Sequence, residues 1–369
     1  MRIVLIHQET MSKNTLSTTD LQITSYEGYD NHSVVAFFVD PETNIQGFVS
    51  FYRMNLKYPA FGATRIWNFP TLHDGLEDSL RLAKTMMYKN AMAGTPYSGA
   101  KGVLVSGKLS PQKRKKLLIK YARFVSFLGG RFITGADVGV NIADVKLMKT
   151  VSNDYIVGVK VNPVEHTVNG LLSALDSAVF EVFGTKDLSN RTIAVQGVGK
   201  TGRLLVDRLH DKVKSIYISD INEKEIHSIP RKYKNVQAVI PEDIHKQKVD
   251  IFSPCALGGI LNKKTIRSIR AQIILGTANN QLQNDDIATE LHRLGIFYAP
   301  DYVVNGGGVI SVIHEYENKR IFKNILNKRV LLIGKTLKRV IQYSKTHNVS
   351  MKKAADVLAE RIINKYYDY

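Results

Sequence analysis

Short apolar runs and two amphipathic stretches alternate along the first half of the chain. The runs "SVVAFFVD" and "IQGFVSFYRM", separated by "DPETN", predict two strands joined by a turn. Residues 71–94 predict a helix, because apolar residues recur at helical spacing and acidic residues are concentrated at its start, where the helix dipole favours them. A strand at "GVLV", a basic helix at 111–124 and the run "RFITGADVG" follow. This order predicts a mixed α/β domain over residues 1–165, in which the polar residues 1–25 form a loosely ordered arm.

The second half of the chain has a different pattern. A helix at "GLLSALDSAVFEVFG" ends at Gly184 and is followed by "TIAVQG", "SIYISD", "VDIFSPCA", "AQIILGTAN" and "IFYAPDYVVN". Short strands that are apolar throughout and alternate with helices indicate a parallel sheet covered on both faces. Residues 166–320 are therefore predicted to form a second α/β domain. The helical tail at 321–369 has an apolar stripe, which we expect to pack back on the rest of the chain.

Length and cysteine content agree with this division. A chain of 369 residues exceeds what one compact core usually contains, so two domains are expected. The single cysteine, Cys255, excludes an intrachain disulfide and favours a reducing compartment. The start "MRIVLIHQET" does not resemble a signal peptide, and no apolar run approaches the roughly 20 residues that span a bilayer. We therefore expect a cytoplasmic protein with no membrane partner.

The net charge of +18 raises the question of an anionic partner. The charge is concentrated at 111–124 and at 319–345, where there are nine lysines and arginines and no acidic residue. Both stretches carry apolar residues at helical spacing, which favours a helix with one core face and one solvated basic face. Neither a zinc-finger spacing nor an aromatic-rich RNA-binding motif is present, so neither a metal site nor a nucleic-acid partner is expected.

The glycine pattern in "VQGVGKTG" predicts a dinucleotide site. It lies between an apolar strand and the amphipathic helix "RLLVDRLH", which is the context in which G-x-G-x-x-G is informative. The first glycine permits a tight turn, the second lets the backbone approach a pyrophosphate, and the third lets helix and strand pack closely. The residues expected to bind the cofactor are Gly197, Val198, Gly199, Lys200, Thr201 and Gly202. Asp220, at the end of the next strand, is expected to bind the ribose hydroxyls and repel a 2′-phosphate, which favours NAD over NADP, although Lys224 is close in sequence. The second domain is thus predicted to be of the Rossmann type.

Two lysines and one aspartate stand in glycine-containing contexts. Lys101 lies in "YSGAKGVLV", Lys89 in "MMYKNAMAG" and Asp137 in "ITGADVGV". Each also has a simpler interpretation: Lys89 as a cation at a helix C-terminus, and Asp137 as the cap of the following helix. Beside a nicotinamide, however, a lysine can hold the carboxylate of a 2-amino acid, and hydrolysis of the resulting imine requires a base. A lysine acts as a base when its pKa is lowered by burial or by a neighbouring cation.

From about residue 45 onward the sequence resembles the leucine/phenylalanine/valine dehydrogenase branch of the amino acid dehydrogenase family. The resemblance rests on motifs in one order: "GATRIW", "LRLAKTMMYKNAMAG", "SGAKGVLV", "TGADVG", "IAVQGVG", "PCALGGILN", "GTANNQL", "YAPDYVVNGGGVI" and "AADVLAERI". It implies a substrate and oligomerisation domain followed by an NAD-binding domain, with a C-terminal helical segment packing back. It also implies reversible oxidative deamination of an L-amino acid to its 2-oxo acid and ammonia, by a homo-oligomer (dimer or octamer).

The resemblance also assigns roles to residues. Lys89 matches the lysine that binds the substrate carboxylate, Lys101 the lysine that activates water, and Asp137 the acid/base that exchanges protons with the substrate nitrogen. Asn279 and Asn305 match asparagines near the nicotinamide and the substrate, and Thr167 matches a threonine lining the cleft. On this interpretation the glycines around Lys101 leave room for water and substrate.

The substrate side chain is expected to contact Phe61 and Gly62. Glutamate dehydrogenases of the family carry a lysine in this loop, whereas "YPAFGATRIW" has no cation at that point, so a buried γ-carboxylate would lack a partner. Phe61 either narrows the pocket for branched-chain aliphatic substrates (leucine, valine, isoleucine), which we favour, or stacks on an aromatic one such as phenylalanine or tryptophan. Ala100, Glu165 and His166 depart from the family pattern. An NAD-binding regulatory homologue with little turnover therefore remains an alternative.

Overall fold

The computed structural model describes residues 23–55, 57–256 and 258–367. The chain forms two compact units. The first contains the described residues up to Val161, together with Val312–Arg320 and those from Ile363 onward; the second contains Asn162–Ser311 and Ile321–Ile362. Apart from a 3₁₀ turn at Ile23–Ser25, the arm expected at 1–25 lies outside the described residues.

This division differs from the predicted ranges 1–165, 166–320 and 321–369. The segment at 312–320 belongs to the first unit because its carboxylates bind there: the Lys160 amide donates to Glu315 Oε2 at 2.9 Å, and the Tyr97 hydroxyl donates to Glu317 Oε1 at 3.1 Å. The tail expected as a separate helical segment is divided between the two units.

A mixed sheet forms the centre of the first unit. Its strands are β1 (His32–Asp40), β2 (Ile45–Tyr52), β3 (Ala60–Phe61), β4 (Thr64–Trp67), β5 (Ser98–Val105) and β6 (Phe132–Ile133). Its helices are α1 (Leu72–Met92), α2 (Pro111–Phe127) and α3 (Ile142–Lys149). The strand order is β1-β2-β5-β3-β6, and β4 also pairs with β5. β2 runs antiparallel to β5, whereas β3 and β4 run parallel to it.

The two faces of β5 meet different helices. Ala100 and Leu104 face the core that includes Leu117 and Tyr121 of α2. Gly99 faces α1 so closely that a Cβ on it would lie 2.2 Å from the Met87 amide nitrogen. Because side chains alternate along a strand, Lys101 lies on the same face as Gly99, under α1.

The predicted helix at 71–94 and the predicted basic helix at 111–124 are both present. α1 begins with a capping box in which Thr71 and Asp74 each accept from the other's backbone amide. Along α2 one apolar face is buried, formed by Leu117, Leu118, Tyr121, Ala122 and Val125. The charged face is partly neutralised, since Lys120 Nζ lies 2.6 Å from Asp40 Oδ1. The basic stretch is thus an amphipathic helix with a core face, as expected.

The second unit contains an entirely parallel sheet. Its strands are β7 (Thr192–Gln196), β8 (Ser215–Ser219), β9 (Val236–Ala238), β10 (Ile251–Pro254), β11 (Ile273–Ile274) and β12 (Phe297–Tyr298). Their order is β12-β11-β10-β7-β8-β9, which is the 3-2-1-4-5-6 order of a doubly wound Rossmann fold read from the other edge. The order reverses between β7 and β10, so the predicted glycine pattern lies at the topological switch point.

Helices cover this sheet. They are α4 (Pro163–Phe183), α5 (Lys200–Leu209), α6 (Glu223–Lys232), α7 (Asp285–Arg293), α8 (Asp301–Val304) and α10 (Lys323–His347), while α9 (Gly307–Glu317) and α11 (Met351–Tyr367) contribute to both units. α10 packs on α4 through small residues: the Ser173 hydroxyl donates to the Leu331 carbonyl at 2.8 Å, and a Cβ on Gly334 would lie 2.5 Å from the Ser173 carbonyl oxygen.

Two details differ from the sequence predictions. The apolar run at 296–305 is not one strand: β12 ends at Tyr298 and α8 begins at Asp301, directly after Pro300, whose fixed φ suits a helix start. Not every apolar residue of the basic stretch at 319–345 is buried: Phe322 precedes α10 as its N-cap residue and is 50% exposed. Over the described ranges, no helix has both the length and the apolar character needed to cross a bilayer. The cytoplasmic location stays a prediction.

Candidate active site

The glycine loop, residues 197–202, joins β7 to α5 and offers backbone amides to a ligand. Gly197 has a φ of +87°, in the left-handed region that favours glycine. Gly199 is the N-cap of α5, and no side chain caps this helix start. A Cβ on Gly199 would meet nothing within 4 Å, whereas one on Gly202 would lie 1.9 Å from the Gly197 carbonyl oxygen. Gly202 is therefore required for packing, while Gly199 leaves open space beside uncapped amides, as an anion at a helix N-terminus needs.

Asp220 adjoins this loop, as the sequence predicted. It follows β8, and its Oδ2 accepts a hydrogen bond from the Val198 amide at 2.7 Å, while Oδ1 accepts from the Asn222 amide at 2.9 Å. The carboxylate thus ties the end of β8 to the glycine loop. Lys200 and Thr201, also predicted to bind cofactor, form the first turn of α5, and the Thr201 hydroxyl lies 2.9 Å from that of Thr277.

Two predicted asparagines of the second unit are brought together. Asn305, the C-cap residue of α8, is buried and donates from Nδ2 to Asn279 Oδ1 at 2.8 Å. The side-chain oxygen of Asn305 is buried without a hydrogen-bond partner. A buried amide oxygen without a partner is costly, and a ligand N–H donor would satisfy it. Thr167, near the start of α4, contacts the α9 backbone: its Oγ1 would lie 2.8 Å from a Cβ on Gly308.

In the first unit the structure joins Lys101 and Asp137 directly. Lys101, on β5, is buried, and its Nζ lies 2.7 Å from Asp137 Oδ2. Burial raises the pKa of the Asp137 carboxyl, but the charges of Lys101 and Arg65 outweigh it and hold that pKa below its ordinary value. The simpler interpretation of Asp137 as a helix cap is wrong, because Asn141 caps α3 in a capping box with Asp144.

Sequence reasoning missed two members of this cluster. Arg65, on β4, donates from Nε to Asp137 Oδ2 at 2.9 Å and from its other end to Asp78 Oδ2 at 2.7 Å. Asp78, on α1, also accepts from Arg81 at 2.6 Å. We call Arg65, Asp78, Lys101 and Asp137 the charge network. The available signal was an arginine inside the apolar strand motif "GATRIW", where a buried charge needs a partner.

Lys89 lies in the last turn of α1 and is buried, with 7% of its surface exposed. This place in the last turn agrees with the simpler interpretation of Lys89 as a cation at a helix C-terminus, although Lys89 is more buried than a solvated cation would be. A buried lysine is stable only where an anion or hydrogen-bond acceptors compensate it. The role of Lys89 in binding a substrate carboxylate stays a prediction.

Phe61 is packed into an aromatic cluster. It is 1% exposed; its ring centroid lies 4.5 Å from that of Tyr97 and 5.1 Å from that of Tyr316, the second contact being edge-to-face. Tyr58 adds a further edge-to-face contact to Tyr97. Two tyrosines thus pack against the Phe61 ring and contribute to its burial.

The glycines around Lys101 serve packing, which corrects the expectation that they leave room for water. Gly99 admits α1, and a Cβ on Gly102 would lie 2.2 Å from the Tyr121 hydroxyl. Gly62 has the same role, since a Cβ there would lie 1.8 Å from the Ala100 carbonyl oxygen. Ala100 itself occupies a regular strand position opposite Phe51. In the described part of the chain, no three His, Cys, Asp or Glu side chains are grouped as metal ligands would be.

Two family models together match most of this chain. A family model described as "Glutamate/Leucine/Phenylalanine/Valine dehydrogenase" matches residues 158–367, and one described as "Glu/Leu/Phe/Val dehydrogenase, dimerisation domain" matches residues 34–153. The chain therefore belongs to the Glu/Leu/Phe/Val dehydrogenase family, which confirms the resemblance seen in its motifs. It is an amino acid dehydrogenase, an oxidoreductase.

Individual relatives of this chain are also amino acid dehydrogenases. Leucine dehydrogenase of Bacillus cereus is 37% identical over 353 residues, covering 93% of this chain and 94% of that protein. L-tryptophan dehydrogenase of Nostoc punctiforme is 38% identical over 341 residues, covering 90% and 94%. The crystal structure of L-tryptophan dehydrogenase from Nostoc punctiforme superposes with a TM-score of 0.76 at 35% identity, covering 91% of this chain and 97% of that one.

Proposed function

We propose that this protein catalyses NAD-dependent oxidative deamination of a branched-chain aliphatic L-amino acid, reversibly, giving the 2-oxo acid and ammonia. The observation that carries the proposal is the ion pair between buried Lys101 and partly buried Asp137, whose Nζ and Oδ2 atoms lie 2.7 Å apart. A base and an acid/base in direct contact provide the two proton transfers that amine oxidation followed by imine hydrolysis requires.

The first unit provides the groups that act on the amino acid. Lys89 binds the substrate carboxylate, and its burial strengthens that ion pair. Asp137, ionised beside its two cations, accepts a proton from the substrate ammonium, so that the nitrogen lone pair can form the imine as the Cα hydride leaves. Lys101, in its neutral form, takes a proton from the water that adds to the imine carbon. Asp137 then returns its proton to the nitrogen of the carbinolamine. The C–N bond breaks and ammonia leaves, while the hydroxyl oxygen forms the carbonyl of the 2-oxo acid and gives its proton to the Asp137 carboxylate.

The second unit fits a dinucleotide. Bound there, NAD supplies the acceptor for the hydride that leaves the substrate Cα. The amides of the glycine loop face open space at Gly199, which suits a pyrophosphate, and the partnerless oxygen of Asn305 suits a carboxamide or amine N–H. Asp220, held beside the loop through the Val198 amide, accepts ribose hydroxyls and disfavours a 2′-phosphate, which supports NAD over NADP.

The aromatic cluster supports an aliphatic substrate. Phe61 is buried between Tyr97 and Tyr316, so its ring narrows the site rather than being available to stack on a substrate ring. Leucine dehydrogenases are among the relatives. An aromatic amino acid is the second candidate, favoured by the identity of 38% to an L-tryptophan dehydrogenase.

Assembly through the first unit is part of the proposal. The family model that matches residues 34–153 is described as a dimerisation domain. β1 is an edge strand of the first sheet, and Val39 on it is 49% exposed. An edge strand with exposed apolar residues favours contact with a second copy of the chain. A homo-oligomer, dimer or octamer, is the expected state.

The function is tested by NADH production at mildly alkaline pH with a panel of L-amino acids, with NADP in parallel. Reduction of NAD with leucine, valine or isoleucine, absent in Lys101→Ala, supports the proposal. Turnover restricted to phenylalanine or tryptophan would show that the substrate is an aromatic amino acid instead of a branched-chain aliphatic one. A folded protein that binds NADH but oxidises no amino acid would contradict the proposal and favour a regulatory homologue.

A further inference from the structure

Arg65 is a second cation on the same carboxylate oxygen as Lys101. Arg65 Nε lies 2.9 Å and Lys101 Nζ 2.7 Å from Asp137 Oδ2. The Arg65 side chain is 18% exposed and that of Asp137 16%, so solvent screens this contact weakly. Two bonds to one oxygen, together with a hydrogen bond from the Val138 amide to the same carboxylate, restrict the rotation of the Asp137 side chain.

The two cations differ in what they can do during a reaction. A lysine that activates water passes through its neutral form, and in that state it no longer balances the charge of Asp137. The guanidinium of Arg65 keeps its proton under all conditions in which proteins are folded. Arg65 therefore balances Asp137 in both protonation states of Lys101.

Asp78 fixes Arg65 from the other side. Asp78 Oδ2 accepts from Arg65 at 2.7 Å, and Oδ1 accepts from Arg81, which is half-exposed. β4 and α1 thus hold the guanidinium between two carboxylates, and the four charges of the charge network sum to zero. A balanced network avoids the cost of an uncompensated buried charge.

We propose that Arg65 is the positioning residue of the catalytic carboxylate: it keeps Asp137 ionised and oriented while Lys101 changes its protonation state, and Asp78 holds Arg65 in place. This inference rests on the proposed function. It assigns Arg65 no contact with the substrate.

The test compares Arg65→Met, Arg65→Lys and Asp78→Asn in the full-length protein, by kcat, KM and the pH profile of kcat/KM. Arg65→Met is expected to lower kcat about 100-fold and to move the acidic limb of the profile to higher pH, because Asp137 loses its permanent cation. Arg65→Lys and Asp78→Asn are expected to lose about 10-fold, because part of the contact remains. KM for NAD is expected to stay within about twofold, since the cofactor groups lie in the other unit.

Lys120→Met is the matched control. It removes a cation from Asp40, a buried carboxylate of the same unit, at 2.6 Å. It is expected to lower the melting temperature but to keep kcat and the pH profile within about twofold of the parent, as expected for a residue outside the site. Methylguanidine added to Arg65→Ala is expected to restore part of kcat, and to have no such effect on Lys101→Ala.

The outcomes separate the two proposals. If the parent protein oxidises amino acids and Arg65→Met keeps its kcat and pH profile, the role of Arg65 is overturned while the function stands. If Arg65→Met loses stability as Lys120→Met does, with an unshifted pH profile, Arg65 is only structural. If the parent oxidises no amino acid, the proposed function fails and this inference fails with it.

Discussion

The glycine loop of the second unit and the charge network of the first unit are built in opposite ways. The loop is one short stretch, 197–202, and its chemistry comes from backbone amides and from a missing side chain at Gly199. The network draws on β4, α1, β5 and the loop after β6, and its chemistry comes from charged side chains that are buried or partly buried. Local spacing can specify the first kind of site, whereas only the tertiary fold assembles the second.

The substitution with the largest expected effect is at Asp137, the centre of the charge network. Asp137→Asn keeps the shape of the side chain but removes its charge and its ability to exchange protons, so kcat is expected to fall about 1,000-fold. NADH affinity, measured by fluorescence titration, is expected to stay unchanged because the glycine loop lies in the other unit. Equal losses of turnover and of NADH binding would show that the two sites are not separable.

The next largest expected effect is the dependence of the protein's stability on acidic pH through Asp137. The folded-state pKa of Asp137 lies below its ordinary value, so its stabilising contribution is complete above about pH 5 and is lost as the pH falls through the folded pKa. Asp137→Asn removes the anion paired with buried Lys101 and one of the two carboxylates that hold Arg65, and is expected to cost about 3 kcal/mol near neutral pH. The difference in melting temperature from the parent is expected to shrink below about pH 4.

The exposed Asp154 provides the control for that experiment. Asp154→Asn is expected to shift the melting temperature little at any pH, because an exposed charge contributes little. A difference between parent and Asp137→Asn that stays constant from pH 3 to pH 8 would contradict a depressed pKa for Asp137.

The same contrast explains what the sequence could predict. The glycine loop, Asp220 and the parallel sheet follow from local patterns, and the structure has them where they were expected. Lys101 and Asp137 were identified through the family's motifs, but their contact was not, because 36 residues separate them in the sequence. Arg65 was missed because its strand, β4, lies next to the strand of Lys101 only when β4 pairs with β5.

The glycines near Lys101 show that a sequence motif can also suggest a functional role where the structure shows only packing. A glycine in a strand indicates a close approach without indicating what approaches. At Gly99 and Gly102 the neighbours are α1 and Tyr121, so packing alone accounts for both residues. At Gly199 an added Cβ would meet nothing within 4 Å, so packing does not account for this glycine, whereas the proposed cofactor would.

This difference between glycines predicts a paired experiment on the loop. Gly202→Ala is expected to destabilise the protein by about 2 kcal/mol, because its Cβ would lie 1.9 Å from the Gly197 carbonyl oxygen. Gly199→Ala is expected to change stability by less than about 0.5 kcal/mol, since its φ of −65° is ordinary and its Cβ meets nothing. It is expected to weaken NADH binding about 10-fold, because the methyl group occupies the space that the pyrophosphate needs. Unchanged NADH affinity would mean that the ligand does not approach the backbone at Gly199.

The smallest expected effect concerns substrate choice, and it tests whether a distant residue shapes the first site. Tyr316 follows Phe61 by most of the length of the chain, yet their ring centroids lie 5.1 Å apart. Phe61→Ala is expected to shift the ratio of kcat/KM for phenylalanine over valine upward about 10-fold, because it opens the pocket, a change of about 1.4 kcal/mol. Tyr316→Ala is expected to shift the ratio in the same direction by less, since it only releases the Phe61 ring. Trp67, which is 47% exposed on β4, is the control, and Trp67→Ala is expected to leave the ratio unchanged. Tyr316→Ala could leave the ratio unchanged while Phe61→Ala raises it. Phe61 would then set the size of the pocket without support from Tyr316.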